Sequence, residues 1–376
     1  MRDAKAIPPR LSISVALATY NGAAFLPAQL NSIVGQSEPP DEIVITDDQS
    51  TDATPGLLAD YAARSPIPIY VHSNPERLGF VRNFARAIRL CRSELIFTSD
   101  QDDVWAHEKI AVMRPMFMDP DVLLAYHNAQ VVTADDRPLF HLFDAQEAKL
   151  NAVWPLHPWH ASAGMTQAFR ASLRVYDDLW PPSLNHIWME KERLNHDQWY
   201  FFLAQVLGRV AYVDKLLIRY RQHGNNTIGG SPRRPHNLWR RFLQNIDYDP
   251  RIDRLRAHAA ERRADILHEL AARLDGLKKA HAESLMIKYL RLSDRLRRRR
   301  LVYTEQGFLR RLVALIRLVG HGDYSDYPWG FRPSSIVREI ISGVPGRHAQ
   351  ARDQAPSGRL SAPSEEKPST WRGTSA

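Results

Sequence analysis

The sequence of 376 residues contains a single cysteine, Cys91. This excludes an internal disulfide and every CxxC metal or redox motif, so a bound metal must take oxygen and nitrogen ligands. No stretch approaches the roughly 18 consecutive apolar residues that a membrane-crossing helix needs. At the N-terminus, Arg2, Asp3, Lys5, Pro8 and Pro9 stand where a signal peptide would have its apolar core. The chain is therefore expected to stay in the cytoplasm. GxGxxG is missing, because the only GxG, Gly320-His321-Gly322, has Ser325 where the third glycine belongs, and there is no GxxxxGK[ST]. Dinucleotide oxidoreductases and P-loop NTPases lose their main support. His107-Glu108 opens like HExxH, but Ala111 replaces the second histidine, and GxSxG is absent too. What remains is ordinary globular composition, 44% hydrophobic and 24% charged, with length for about two to three structural units.

The net charge of +8 is unevenly spread. Residues 1–232 carry 21 Lys+Arg against 26 Asp+Glu, whereas residues 233–340 carry 24 against 13. A basic chain ordinarily suggests nucleic acid, but here the excess lies outside the part that looks catalytic, and no nucleic acid partner is expected. The basic part reads as an accessory surface.

Along the first 130 residues, strand-like and helix-like patterns alternate. Strands are predicted at 11–18, 41–46, 67–72 and 94–99, with helices between them, which implies an α/β fold with a mostly parallel sheet covered on both faces. Ligands in open α/β sheets gather outside the carboxyl ends of the strands. Those ends carry Thr19 and Tyr20, Asp47 and Asp48, and Asp100 and Asp102. Further strand-like runs cover 121–133 and 209–220, separated by a section containing Trp154, Trp159, Trp180, Trp188 and Trp199. Pro232-Arg233-Arg234-Pro235 marks a boundary. The resulting division is a flexible N-terminus (1–10), a catalytic domain (11–230), a basic helical extension (231–340) and a disordered tail (341–376).

The strongest chemical signal is Ser99-Asp100-Gln101-Asp102-Asp103-Val104-Trp105. Three carboxylates in four residues at a strand end repel one another, and a hard divalent cation would relieve that repulsion. An N-cap for a helix predicted from near Ala106 is the competing role of Asp103; a cap needs one carboxylate only, which leaves Asp102 for a cation.

These residues, together with Val15-Ala16-Leu17-Ala18-Thr19-Tyr20-Asn21-Gly22, Ile45-Thr46-Asp47-Asp48-Gln49-Ser50-Thr51-Asp52, Asn195-His196-Asp197-Gln198-Trp199 and Tyr220-Arg221-Gln222-His223-Gly224-Asn225-Asn226, resemble the family 2 glycosyltransferases of GT-A fold. The resemblance spans about residues 11–229. Asp-Gln-Asp-Asp-Val-Trp and Tyr-Arg-Gln-His-Gly-Asn-Asn are similar to the rhamnosyltransferase branch. The resemblance implies a nucleoside diphosphate sugar donor, with dTDP-rhamnose as the candidate, a glycan or lipid-linked acceptor, and Mn2+ or Mg2+ as cofactor. It places Thr19, Tyr20 and Asp48 at the base, Asp100 at the ribose, Asp102 and His223 at the metal, and Gly164 near the donor sugar. Arg77 is either the nucleotide-side arginine or a solvated loop residue. For Asp197, the implied role is the base that takes the acceptor proton; a helix N-cap is the alternative. His196 is assigned no role, His223 could instead belong to a polar loop over the acceptor, and Gly164 could be a turn glycine. Two rival functions stay open: a nucleotide-sugar-binding module without turnover, and a nucleotidyltransferase.

Residues 308–319 form a basic amphipathic pattern, with Phe308, Leu312, Leu315, Ile316 and Val319 on one face and Arg310 and Arg317 opposite. This face either packs on the catalytic domain or lies on an anionic membrane surface, toward which the Arg297–Arg300 run also points.

Overall fold

The computed structural model describes residues 10–143, 158–159, 162–180, 195–223, 250–325, 329–331 and 335–345. Residues 1–9, Trp154, Trp188, the boundary at 231–235, Gly224-Asn225-Asn226 and the tail from 346 onward lie outside them.

The first half follows the predicted alternation: β1 (Ile13–Thr19), α1 (Leu26–Val34), β2 (Glu42–Asp47), α2 (Thr54–Arg64), β3 (Ile69–Ser73), α3 (Phe80–Leu90) and β4 (Leu95–Ser99). β1 pairs in parallel with β2 and β4, and β2 with β3. β2 and β4 are buried along their whole length, as continuous apolar, β-branched runs require in a sheet covered on both sides. The side chains divide with the pleat. Ile13, Val15 and Leu17 join the core under α1 and α2, while Ala16 joins the opposite core.

Beyond Ser99 the pattern changes. Where the sequence predicts a helix from near Ala106, Val104 and Trp105 form a short strand, β5, that pairs antiparallel with β9 (Arg209–Gln222), and the helix α4 begins only at Lys109 (Lys109–Met113). Asp103 is thus not a helix cap. Its carboxylate accepts the Arg221 N–H at 3.0 Å and ties the acidic loop to β9. β6 (Val122–Thr133), β7 (Pro138–His141) and β8 (Gln167–Arg170) complete the sheet, in the order β3-β2-β1-β4-β8-β6-β9-β5 with β7 on β6. Six strands run one way; β5, β7 and β8 run against them.

The described residues of the basic extension include the long helices α6 (Pro250–Ala271), α7 (Gly276–Thr304) and α8 (Phe308–Gly320). It shares a core with the sheet. Leu267, Leu285, Tyr289 and Trp329 belong to the same buried cluster as Phe169 of β8 and Trp199, Tyr200 and Phe202 of α5 (His196–Leu207). Arg263 is buried against Tyr289 (Nη1 to Oη, 3.0 Å), and Arg273 grips Asp178 with two bonds of 2.6 and 2.9 Å. Within the Arg297–Arg300 run only Arg299 is buried, but three of the four arginines have acidic partners. Arg297 pairs with Glu261, Arg298 with Asp323 at 2.8 Å, and Arg299 with the buried Glu339 at 2.9 Å. Burying a cation without a partner is costly, so these acids explain how a helix so rich in arginine can pack. Ser342, Gly343 and Val344, read from the sequence as the start of a disordered tail, are also buried, because Arg311 donates to the Val344 carbonyl at 2.8 Å and draws this segment in.

Because the two parts share one core, Leu267→Ala, which opens a cavity at a fully buried position, should cost about 2–5 kcal/mol. Far- and near-ultraviolet circular dichroism should show a single transition shifted to lower temperature. Two separate melts would mean that the extension folds as its own unit.

Candidate functional site

The carboxyl ends of β1, β2 and β4 open into a cavity of about 840 Å³, a size typical of small-molecule sites. Thr19, Tyr20, Asp48, Arg77, Asp100, Asp102, Gly164, Asp197 and His223 all line it. Residues far apart in sequence are thus brought to one site.

At one end, Tyr20 lies beneath Arg77, whose guanidinium carbon is 3.9 Å from the ring centroid. Arg77 therefore lines the cavity while remaining an exposed loop residue. Its loop is held by Asp48, which accepts the backbone N–H groups of Leu78 and Gly79 at 2.7 and 2.8 Å and the Asn74 amide at 2.7 Å. Asn83, buried in the same network, donates to the carbonyls of Thr19 and Thr46. The remaining polar residues of the second motif act as a latch on the first. Ser50 and Thr54 accept the N–H groups of Asn21 and Gly22, and Asp52 that of Ala23. Gln101 reaches across from the acidic loop to bond both the N–H and the carbonyl of Tyr20. A Cβ at Gly22 would lie 2.2 Å from Gln101 Oε1, so a side chain here would displace Gln101 from its bonds to Tyr20.

The acidic wall follows from β4. His223 Nε2 lies 2.9 Å from Asp102 Oδ2, and its ring stacks on Phe25 with centroids 4.6 Å apart. Asp100 and Asp103 are pushed toward the protonated form, first by burial and then by neighbouring carboxylates; for Asp100 these are Asp102 and Asp197. Beneath them lies Lys109, fully buried. Its ammonium donates to the Met165 carbonyl at 2.8 Å and sits 3.7 Å from the centre of the Trp105 ring. Burial holds its pKa well down, opposed by Asp103 and Asp100. Among the described residues no three His, Cys, Asp or Glu side chains form a closed metal cage. Asp102 and His223 instead form an adjacent pair on the cavity wall, and this fits an ion held partly by protein and partly by a bound diphosphate.

On the far wall, Asp197 sits in the first turn of α5, the helix anchored by the buried Trp199, Tyr200, Phe201 and Phe202. Its carboxylate accepts the Gln198 N–H at 2.8 Å, and burial raises its pKa to about 6. Gly164 faces it, with the Gly164 carbonyl accepting from Thr98 Oγ1 at 2.5 Å. A Cβ at this position would meet His196 Nε2 at 2.6 Å, so Gly164 permits the close approach of the His196 ring. His196 is stacked on Phe84 at 4.1 Å, lines the cavity and has neither ring nitrogen hydrogen-bonded; burial lowers its pKa to about 3, so the ring is neutral. Sequence reasoning gave His196, Lys109 and Asn83 no role. Only the adjacency of His196 to Asp197 could have pointed to any of them.

The family model for glycosyl transferase family 2 matches residues 14–176, which contain the Tyr20 turn, the acidic loop and Gly164. The chain carries a family 2 glycosyltransferase domain. An uncharacterized glycosyltransferase of Nostoc sp. is 26% identical over 57% of this chain, which spans 66% of that relative's length, just under two thirds. The dTDP-rhamnosyl transferase RfbG of Shigella flexneri is 25% identical over 57% of this chain and 74% of its own. Among solved structures, S. aureus TarS residues 1–349, crystallised with UDP-GlcNAc, superposes with a TM-score of 0.50 at 17% identity, covering 85% of this chain and 93% of that one. The glycosyltransferase domain therefore has the GT-A type of fold, extended by C-terminal helices.

The raised pKa of Asp197 has a consequence for stability. An unfolded aspartate ionises near pH 4, so between there and about pH 6 folding keeps a proton that the unfolded chain releases, and the stability this gives is lost as pH rises through about 6. Asp197→Asn should therefore melt about 2–4 °C above wild type at pH 8 and level with it at pH 4. Equal midpoints at pH 8 would show that the carboxylate is not desolvated.

Proposed function

We propose that the protein transfers a sugar from a nucleoside diphosphate sugar to an acceptor hydroxyl, with inversion at the sugar carbon. The observation that carries this reading is the shared cavity, in which the Asp102–His223 pair and Asp197 line one space with the Tyr20–Arg77 stack. Tyr20 and Arg77 would hold the base, assisted by Thr19 and Asp48, and Asp100 the ribose. Asp102 and His223 would hold Mn2+ or Mg2+. A divalent cation, when bound, supplies charge to offset the leaving diphosphate.

Asp197 then acts on the acceptor. As the acceptor oxygen bonds to the anomeric carbon, the bond from that carbon to the diphosphate oxygen breaks with its electron pair, and the hydroxyl proton passes to the carboxylate. The displacement is direct and forms no covalent intermediate on the chain. A carboxylate with a pKa raised to about 6 is a stronger base than an ordinary aspartate and is still ionised at neutral pH. Gly164 brings backbone close to Asp197, where the transferred sugar would lie. Similarity to RfbG supports dTDP-rhamnose as donor, and the acceptor is a glycan or lipid-linked saccharide met at the inner face of the cell membrane by a cytoplasmic, peripheral protein. A binding module without turnover would have no use for a desolvated carboxylate opposite the acidic wall.

With Mn2+ and dTDP-rhamnose, Asp102→Ala should lose donor binding and turnover together, while Asp197→Asn should bind donor normally and turn over about 100-fold or more slowly. Wild-type kcat/KM should fall tenfold per pH unit below about 6, the range set by Asp197. Normal donor affinity in Asp102→Ala removes the metal assignment, and near-normal turnover in Asp197→Asn moves the base elsewhere.

A further inference from the structure

α8 is apolar on two faces, and the fold uses only one of them. Ala314, Leu315 and Leu318 are buried, and Arg311 beside them bonds inward to the carbonyls of Glu305 and Val344. At 100° per residue, the opposite arc carries Phe308, Leu309, Val313, Ile316 and Val319. These are 55%, 74%, 45%, 60% and 51% exposed. The sequence pattern alone puts Leu315 on the same face as Ile316; in the structure Leu315 turns into the core and Leu309 and Val313 join the outward arc. A protein surface gains nothing from leaving five large apolar side chains of one helix in water.

Charge selects the occupant. Arg310 and Arg317 border the outward arc, and Arg300 is exposed near the end of α7; among the described residues none of the three has an ion pair. α8 itself contains no acidic residue. A second copy meeting this face about a two-fold axis would bring these arginines toward their own counterparts, with no acid on the helix to offset them. The face is also a single exposed helical ridge, which a deformable lipid interface accommodates without a matching groove. Apolar side chains flanked by arginine match the division between acyl chains and anionic headgroups.

We propose that the outward arc of α8 docks the protein on an anionic bilayer surface, with Phe308, Leu309, Val313, Ile316 and Val319 at the acyl boundary and Arg310 and Arg317 at the headgroups. The docking face is separate from the catalytic cavity and does not depend on which sugar is transferred.

The test uses the full-length protein and vesicles of phosphatidylcholine with and without about 30% phosphatidylglycerol, in low salt. Wild type should co-sediment with the anionic vesicles and about tenfold less with the neutral ones. Leu309→Ser/Ile316→Ser should weaken binding to both by about tenfold or more, whereas Arg310→Glu/Arg317→Glu should remove the preference for anionic lipid and its salt dependence. Because all four positions are exposed, both variants should melt with wild type and bind dTDP equally well. Failure of wild type to bind anionic vesicles overturns the proposal, as does binding unaffected by either double variant. A concentration-dependent dimer in sedimentation velocity that Leu309→Ser/Ile316→Ser abolishes would overturn it in favour of a second copy.

Discussion

The site depends on holding several carboxylates in a space that excludes most of the water that would otherwise screen them. Asp100, Asp102 and Asp103 are adjacent in the chain, and Asp197 is close enough to raise the pKa of Asp100. Such a group is stable only if cations or protons offset the charge. The chain supplies part of this itself through Lys109 below, and His223 hydrogen-bonds Asp102. Lys109 also fixes the Met165 carbonyl, so the counter-charge and the Gly164 turn are positioned by the same side chain. The remainder is left to what binds in the cavity.

The rest of the architecture sets the walls of that cavity. On the wall beneath Tyr20 and Arg77, Asp47, Ser50, Asp52 and Thr54 are engaged with the first turn or with one another, so much of the second motif serves geometry rather than chemistry. On the far wall, the position of Asp197 depends on α5, which is clamped by Asp177 bonds to Trp199 and Tyr200 and by Phe202 against Tyr289 of α7. The basic extension therefore buttresses the helix that carries Asp197. Part of its arginine is spent on buried acids, as in the Arg298–Asp323 and Arg299–Glu339 pairs, and α8 keeps an outward face.

Motifs made the first half of the chain legible from sequence. Alternating strands and helices with polar residues at the strand ends identify a parallel sheet with its ligand edge, because that periodicity is local. The second half resisted for an equally physical reason. β5 exists only because β9, more than a hundred residues later, offers an edge to Val104 and Trp105, and no local pattern announces a distant partner. The same holds for Asp103, whose true partner is the Arg221 N–H. The Arg297–Arg300 run reads as pointing toward a membrane surface because the partners of three of its arginines, Glu261, Asp323 and Glu339, are remote in sequence. Lys109 carried no signal at all, since a lone lysine is ordinarily exposed.

If the acidic wall is completed by a cation shared with a diphosphate, metal and nucleotide must bind each other's complex better than the free protein. Electron paramagnetic resonance of Mn2+ titrated into the protein at neutral pH, with and without saturating dTDP, measures this coupling directly. The account predicts weak Mn2+ binding alone, tightened by about tenfold or more when dTDP is present, a coupling that must be reciprocal. Equal Mn2+ affinity in both titrations, with dTDP binding unchanged by chelator, would contradict it.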